Sequence, residues 1–158
     1  MTRWRLAILL IWLASAPVIA APFEPRTGDS VVDGQLAELN ALAGPARDAL
    51  VDEVVAVFGA PRYLVRNLLE QRHWQPGDVY YACALAYRLR RPCADVARAH
   101  EQQTDEDWGA TTRAAGIRPG TQAFAAIKAQ LAKSAARLQS LATTEASEAP
   151  EPANDEGK

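Results

Sequence analysis

The feature that most constrains the fold is a stretch of nine residues, 79–87, that contains no charged side chain. It holds three tyrosines and several alanines, and it lies between Pro76-Gly77 and Pro92. Because apolar side chains cover every side of a helix in this stretch, residues 79–90 are predicted to form a helix that is buried at the centre of the fold.

Two further expectations follow for this central helix. Asp78 directly precedes the stretch, where its carboxylate can accept the free amide hydrogens of a first turn, so it is predicted to be the N-cap. Tyr80 and Tyr87 are seven residues apart and share a face, whereas Tyr81 is turned by about 100°. At least two of the three rings are expected to be buried, with hydroxyls that reach backbone groups or the surface.

Prolines, glycines and a threonine divide the chain after residue 43 into short helices. The residues that mark their ends are Pro45, Gly59, Pro61, Pro92, Gly116 and Thr121. The last helix is predicted at residues 122–141, and no alternation typical of strands occurs. The predicted class is therefore all-α, a compact bundle of five or six short helices over residues 44–141. Residues 22–43 are expected to be a lead-in, with a weak helix that Gly34 interrupts.

Residues 1–21 have the three parts of a secretory signal peptide. Two arginines are followed by an apolar run, residues 6–13, that is too short for a membrane span, and then by a cleavage site after Ala20 or Ala21. The first cysteine is Cys83, which excludes a lipid anchor at the cleavage site. The mature protein is expected in the periplasm of a Gram-negative bacterium or secreted, without a stable membrane anchor. An uncleaved anchor is the alternative.

Charge is unevenly distributed along the chain. Removing the first 21 residues leaves 15 basic and 19 acidic side chains, and residues 142–158 hold one of these basic and five of these acidic side chains. The rest of the mature chain is therefore neutral, which argues against a nucleic-acid partner. The acidic tail is predicted to be disordered and to act as a solubilising end or, alternatively, as an interaction tail.

Two cysteines in an exported chain favour a disulfide between Cys83 and Cys93, because the periplasm is oxidising. An unbroken helix to Arg91 would rise about 12 Å from Cys83, so a bridge requires the helix to end near Arg88 or Leu89. Two buried free thiols are the alternative. A metal site formed by both thiolates and His100 lacks the usual ligand spacing, and neither a metal nor a cofactor is predicted.

The densest motif lies near the end of the predicted bundle. A Trp-Gly pair at residues 108–109 is followed by Gly-Ile-Arg-Pro-Gly at residues 116–120. With residues 80–86 and 91–93, this pattern resembles small exported helical proteins of proteobacteria that have no assigned function. The resemblance covers roughly residues 59–128 and implies a helical fold and an exported location.

The same motif describes a short helix around the tryptophan. Thr104 or Asp105 is predicted to cap it, and Gly116 to end it in the left-handed conformation, followed by Ile117. The two threonines at residues 111–112 depart from the pattern, in which Ile or Val followed by Ala is expected. We expect this departure to weaken the packing of the helix.

Three groups of residues are candidates for a ligand or partner surface. Trp108 with Gly109 would suit a sugar or peptide if exposed, although a core tryptophan beside a close backbone approach is the favoured interpretation. Four arginines near Pro92 form a candidate patch for an anionic ligand, or complement helix carboxyl ends. These arginines are Arg88, Arg90, Arg91 and Arg98.

The third candidate surface lies on the last predicted helix, which is about 30 Å long, roughly twice the length of the others. Its outer half is predicted to lack an intrachain partner. Leu131, Leu138 and Leu141 are therefore a candidate docking stripe for a partner or for a second copy of the chain.

Carboxylates are concentrated in the segment Glu101–Asp107, which also contains Asp105 and Glu106. Paired carboxylates are the groups that cleave glycosidic bonds, but such residues also cap helices. No nucleophile motif or phosphate-binding loop is present, and no catalytic residue is assigned. The predicted function is an exported, non-enzymatic helical module that binds or helps assemble another cell-envelope component. A small envelope hydrolase that uses this acidic segment is the alternative.

Overall fold

The computed structural model describes residues 23–103 and 107–148, apart from the side chains of residues 145 and 146. These residues form seven α-helices and one π-helical turn, and no strand occurs among them, which confirms the all-α class. The helices are α1 (Ser30–Ala43), α2 (Arg47–Phe58), α3 (Arg62–Arg66), α4 (Pro76–Leu89), α5 (Cys93–Glu101), α6 (Trp108–Ala114) and α7 (Gln122–Glu148). The π-helical turn, Asn67–Gln71, continues directly from α3. The predicted signal peptide lies outside the described residues.

Helix α4 is the centre of the fold, as its uncharged sequence predicts. Every residue from 79 to 86 is buried, and α1, α2, α5 and α7 all pack against it. The prediction that Asp78 is the N-cap is wrong, because α4 begins at Pro76 with Gln75 as its N-cap. Proline suits the first helical position, where its missing amide hydrogen has no helical partner to lose.

The burial expected for the three tyrosines is confirmed, but the partners expected for their hydroxyls are wrong. Tyr80 and Tyr81 are fully buried, whereas Tyr87 is 52% exposed. The buried hydroxyls bond to side chains rather than to backbone groups: Tyr80 donates to Ser134 Oγ at 2.8 Å, and Tyr81 Oη lies 3.4 Å from Thr112 Oγ1. These bonds offset the cost of burying phenolic oxygens.

Helix α1 belongs to the core, although the sequence pattern treats its residues as a lead-in. Its buried side chains are Val32, Leu36, Leu39 and Ala43, and they face α4 and α7. Asp29 caps the helix by accepting hydrogen bonds from the amides of Val31 and Val32, and Lys128 of α7 approaches the same carboxylate at 3.4 Å. The glycine that was expected to interrupt this helix, Gly34, is exposed and meets no neighbouring atom.

Helix α7 is longer than predicted. Thr121 caps it by accepting the amide of Phe124 at 3.3 Å, as the turn before it predicts. The helix then runs for 27 residues to Glu148, seven residues beyond the predicted end, so the start of the predicted acidic tail is helical. The remainder of that tail lies outside the described residues. No helix in the described part of the chain combines the length and apolar character needed to cross a bilayer.

The two cysteines lie at bonding distance, with Cα atoms 4.7 Å apart. The geometry is the one that the predicted bridge requires. Helix α4 ends at Leu89, Arg90 takes a left-handed conformation, and Pro92 directly precedes α5. The chain therefore reverses within three residues, and Cys93 at the first position of α5 reaches back to Cys83 inside α4.

Removing this bridge is expected to destabilise the protein measurably. Replacing Cys83 and Cys93 together with alanine should lower the free energy of unfolding by about 2–3 kcal/mol, because the unfolded chain regains the freedom of the closed loop. Urea unfolding followed by circular dichroism measures this difference. Reductant should destabilise the wild type by a similar amount and leave the double variant unchanged. Two thiols that alkylate in the denatured, unreduced protein would contradict the bridge.

The cap of α1 predicts a pH dependence. Hydrogen bonding from the Val32 amide, with help from Val31 and Lys128, holds the pKa of Asp29 below its ordinary value. The stabilisation is therefore complete above the unfolded-state pKa of about 3.9 and is lost as the pH falls through the lower folded-state pKa.

Asp29→Ala is accordingly expected to lower the free energy of unfolding by about 1 kcal/mol at neutral pH. The gap between this variant and the wild type should close as the pH falls below about 4. Urea unfolding at a series of pH values measures the gap. Asp29→Asn is the control, since its amide oxygen still caps the helix. A gap that does not change with pH would contradict the assignment.

Candidate functional site

The carboxyl ends of α2 and α4, with the turns that follow them, enclose a cleft of about 180 Å³, here called the disulfide cleft. Its lining residues are Phe58, Gly59, Ala60, Pro61, Tyr63, Leu64, Cys83, Ala86, Tyr87, Arg91, Pro92, Cys93 and Ala94. Apolar side chains dominate this lining, and its one charged residue is Arg91. Both halves of the disulfide form part of the wall.

The sequence builds this cleft from two similar chain reversals. Helix α2 ends at Phe58 and α4 ends at Leu89. The residue that follows each, Gly59 or Arg90, has a left-handed backbone, with φ of 65° and 53°. A proline follows each within two residues, Pro61 before α3 and Pro92 before α5. Glycine adopts this conformation readily, whereas an arginine does so at some cost. The disulfide fixes the second reversal against α4.

Two exposed tyrosines flank the cleft. Tyr63 is 77% exposed and Tyr87 is 52% exposed, and they are two of the four large apolar side chains most exposed in the described chain. Tyr87 is supported from below by Phe58, with ring centroids 5.9 Å apart, and Phe58 in turn meets the edge of buried Tyr80. Aromatic contacts thus run from the exposed Tyr87 through Phe58 to the buried Tyr80.

Three arginines lie at the carboxyl end of α4 and in the turn that follows it; Arg91 lines the cleft, and Arg88 donates to the Ala126 carbonyl of α7 at 3.4 Å. Arg88, Arg90 and Arg91 are exposed, and none of them forms an ion pair within the described residues. Arg88 extends beside the Tyr87 ring, with its Cζ 5.6 Å from the ring centroid. Arg98, the fourth arginine of the predicted patch, is different because it pairs with Asp95 at 3.7 Å.

Trp108 is fully buried, so it packs in the core and presents no exposed ring to a ligand. Its indole nitrogen donates to Asp78 Oδ1 at 2.7 Å, and its ring stacks on His100 with centroids 3.7 Å apart. Tyr81 and Trp74 meet it edge-on. Asp78 thus serves as the acceptor for a buried indole instead of capping α4.

Gly109 allows the segment before α1 to approach α6. Its amide donates to the carbonyl oxygen of Arg26 at 2.8 Å, and a Cβ added here would lie 3.0 Å from that oxygen. The same Cβ would lie 2.9 Å from Oδ1 of Asp107, which caps α6 by accepting the Gly109 amide. The close backbone approach predicted for Gly109 is present, and it joins two parts of the same chain.

The two threonines of α6 do not weaken its packing. Both are buried, and both hydroxyls have partners: Thr111 Oγ1 lies 3.0 Å from His100 Nδ1, and Thr112 donates to the Trp108 carbonyl and contacts Tyr81 Oη. Burial raises the pKa of Tyr81 to about 12, because the phenolate would lose its hydration. The threonines therefore satisfy polar groups that Ile and Ala would leave unpaired.

The end of α6 follows the predicted motif. Gly116 has a φ of 76°, and its amide and that of Ile117 donate to the carbonyls of Arg113 and Thr112. This arrangement is a Schellman motif, in which a left-handed residue closes the helix and an apolar residue follows it. The prediction that Thr104 or Asp105 caps this helix is wrong, because the N-cap of α6 is Asp107.

The described carboxylates of the acidic segment do not converge. Glu101 pairs with Arg72 of the turn before α4, whereas Asp107 caps α6 and lies 3.9 Å from Arg113. Asp105 and Glu106 lie outside the described residues. Within the described chain, no group of three His, Cys, Asp or Glu side chains is arranged to hold a metal ion.

The predicted docking stripe on the last helix is not exposed. Leu131 and Leu138 are buried because α1 and α2 pack along α7, and only Leu141 stands half exposed. Arg137 of α7 also pairs with Glu53 of α2, which raises the pKa of the arginine and ties the two helices together. The leucines thus form intrachain contacts.

The glycine at position 109 yields a test of these contacts. Gly109→Ala is expected to lower the free energy of unfolding by about 1–3 kcal/mol, because its Cβ would press on the Arg26 carbonyl oxygen and the Asp107 cap. Gly34→Ala is the matched control, since a Cβ there meets nothing within 4 Å. It should stabilise α1 by about 0.5–1 kcal/mol. Chemical unfolding measures both, and equal effects of the two substitutions would contradict the close approach.

Comparison of the chain with protein-family models, with curated proteins and with solved structures finds no match. Two features of its own geometry bear on function. The Trp108 cluster is buried and internally bonded, so it holds helices together. The disulfide cleft is open and is lined by two exposed tyrosines and by Arg91, which has no ion-pair partner in the described chain.

Proposed function

We propose that the protein is an exported, non-enzymatic helical module that binds another component of the cell envelope through the disulfide cleft. The observation that carries this proposal is the pair of exposed tyrosines, Tyr63 and Tyr87, which both line one apolar pocket. A folded chain buries such rings when it can, so two of them at one pocket favour a binding surface.

Export is supported by two independent features. Residues 1–21 have the basic, apolar and small-residue parts of a signal peptide. The pairing of Cys83 with Cys93 suits an oxidising compartment, because reducing systems keep cytosolic thiols free. The resemblance of residues 108–120 to the motif of small exported proteobacterial proteins agrees with this location.

Binding at the cleft is supported by the residue types that surround it. Tyrosine and arginine are the side chains most often found at the energetic centres of protein interfaces. Here Tyr63, Tyr87 and Arg91 line one pocket. The pocket is fixed from below by the disulfide and by the contact of Phe58 with Tyr80, so little ordering would be needed on binding.

The alternative, a small hydrolase acting through residues 101–107, receives less support. Glu101 and Asp107 each have a basic partner, and Asp107 caps a helix. Both carboxylates are thus engaged in contacts within the fold, which leaves no free pair of carboxylates among the described residues of this segment to cleave a glycosidic bond.

Site-specific photocrosslinking in living cells tests the proposal. A photoreactive phenylalanine analogue in place of Tyr63 is expected to give one discrete adduct in the envelope, because this exposed side chain lies at the cleft. The same analogue in place of Val31, which is exposed on α1 away from the cleft, is the control and should give none. Intact mass of the exported chain should show cleavage after Ala20 or Ala21.

A second pair of substitutions tests whether the adduct at Tyr63 depends on the cleft. Ala94→Leu fills the cleft and should abolish the Tyr63 adduct, whereas Ala99→Leu places the same side chain on the exposed face of the same helix and should not. An adduct that forms equally at both probe positions, or that survives Ala94→Leu in a folded protein, would contradict a binding role for the cleft.

A further inference from the structure

We infer that the partner presents an acidic, extended peptide segment with one apolar side chain, and that the disulfide cleft binds this segment. The inference rests on the proposed function and names the chemistry of the ligand. The apolar side chain enters the pocket between Tyr63 and Tyr87. Carboxylates on either side of it pair with the arginines at the end of α4.

The size of the cleft favours a single side chain. Pockets for small-molecule ligands usually measure about 300–1,000 Å³, whereas this one measures about 180 Å³. Its walls are apolar, formed by Phe58, Leu64, Ala86 and the disulfide. A pocket of this size and lining suits one apolar anchor residue, which is the usual centre of a peptide interface.

The edges of the cleft favour a ligand that extends beyond the pocket. Tyr63 and Tyr87 are both more than half exposed, on opposite elements α3 and α4. A ligand that filled only the pocket would contact these rings but leave part of each in water. An extended backbone crossing the cleft covers both rings, and their hydroxyls can bond to its peptide groups.

The charge at the cleft favours carboxylates. Arg91 is the one charged lining residue, and Arg88 and Arg90 are close to it in the chain. Arg88 complements the carboxyl end of α4, but Arg91 lies beyond that helix and has no such role.

The shape of the surface favours a peptide over an anionic bilayer. Peripheral helices bind bilayers by laying a continuous apolar face on the lipid. The apolar groups at this corner instead line a concave pocket, and the exposed rings stand at its edges. A side chain enters such a pocket, whereas the flat surface of a membrane does not.

Titration of the ¹⁵N-labelled exported chain with short acetylated peptides tests the inference. The probes are Glu-Glu-Phe-Glu-Glu, Glu-Glu-Gly-Glu-Glu and Gln-Gln-Phe-Gln-Gln. The first is expected to shift the amide resonances of Tyr63, Tyr87, Arg91 and Ala94, and to bind more weakly as salt rises. The other two should each bind about tenfold more weakly or worse, because one lacks the anchor and the other the charges.

Matched variants assign the effect to the cleft. Arg91→Glu is expected to weaken binding of Glu-Glu-Phe-Glu-Glu by about tenfold or more. Arg47→Glu makes the same change of charge at an exposed position at the opposite end of α2, about 16 Å from Phe58 along the axis, and should not weaken it. Ala94→Leu should block the peptide and Ala99→Leu should not, with thermal unfolding confirming that each variant is folded.

Several outcomes would overturn the inference. Equal affinity for all three peptides would show that neither the apolar side chain nor the carboxylates determine binding. The inference would also be overturned by Arg91-dependent binding to phosphatidylglycerol vesicles in the absence of peptide binding, or by self-association that Arg91→Glu abolishes. Each of these results leaves the photocrosslinking at Tyr63 as a separate measurement. If the adduct persists while the peptides fail, the cleft binds a ligand of another class and the proposed function stands.

Discussion

The burial of α4 on all its sides is the constraint on which the rest of the structure depends. A helix with no charge from residue 79 to 87 cannot face water, so other helices must cover each of its faces. Its faces are covered by four helices, α1, α2, α5 and α7. The two buried phenols of Tyr80 and Tyr81 then require polar partners inside the core, which Ser134 and Thr112 supply.

Local chemistry made much of the architecture predictable from the sequence. Gly59, Gly116 and the prolines before α3 and α5 mark helix ends because their backbone preferences act within a few residues. The end of α4 was predictable to within a residue, since a proline stops the preceding helix. The bridge to Cys93 was the favoured of two interpretations, with free thiols as the other. These features need no knowledge of distant neighbours.

Features that depend on a distant partner were not predictable in the same way. Asp78 resembles an N-cap locally, yet it accepts the indole hydrogen of Trp108, 30 residues further along the chain. Leu131 and Leu138 form an apolar stripe on any helix, and only the presence of α1 beside α7 shows that this stripe is covered. The sequence pattern of α1 is a weak indication of a helix by itself, because this helix is stabilised mainly when its apolar residues pack into the core.

The candidate cleft was missed for a related reason, since its walls come from two turns and two helix ends that are distant in sequence. The sequence does contain a sign of this cleft. A residue with a left-handed backbone and then a proline follow α2, and the same arrangement follows α4 beside the cysteine bridge. Because Cys83 lies in the buried helix α4, the bridge links the α4–α5 turn covalently to the core. Arg91 and Ala94 therefore lie next to a covalent link to the buried helix, whereas Tyr63, on the short helix α3, has no such link. If the cleft has the binding role proposed above, a ligand meets one side that is covalently linked to the core, near Arg91 and Ala94, and another at Tyr63 that α3 holds by noncovalent contacts alone.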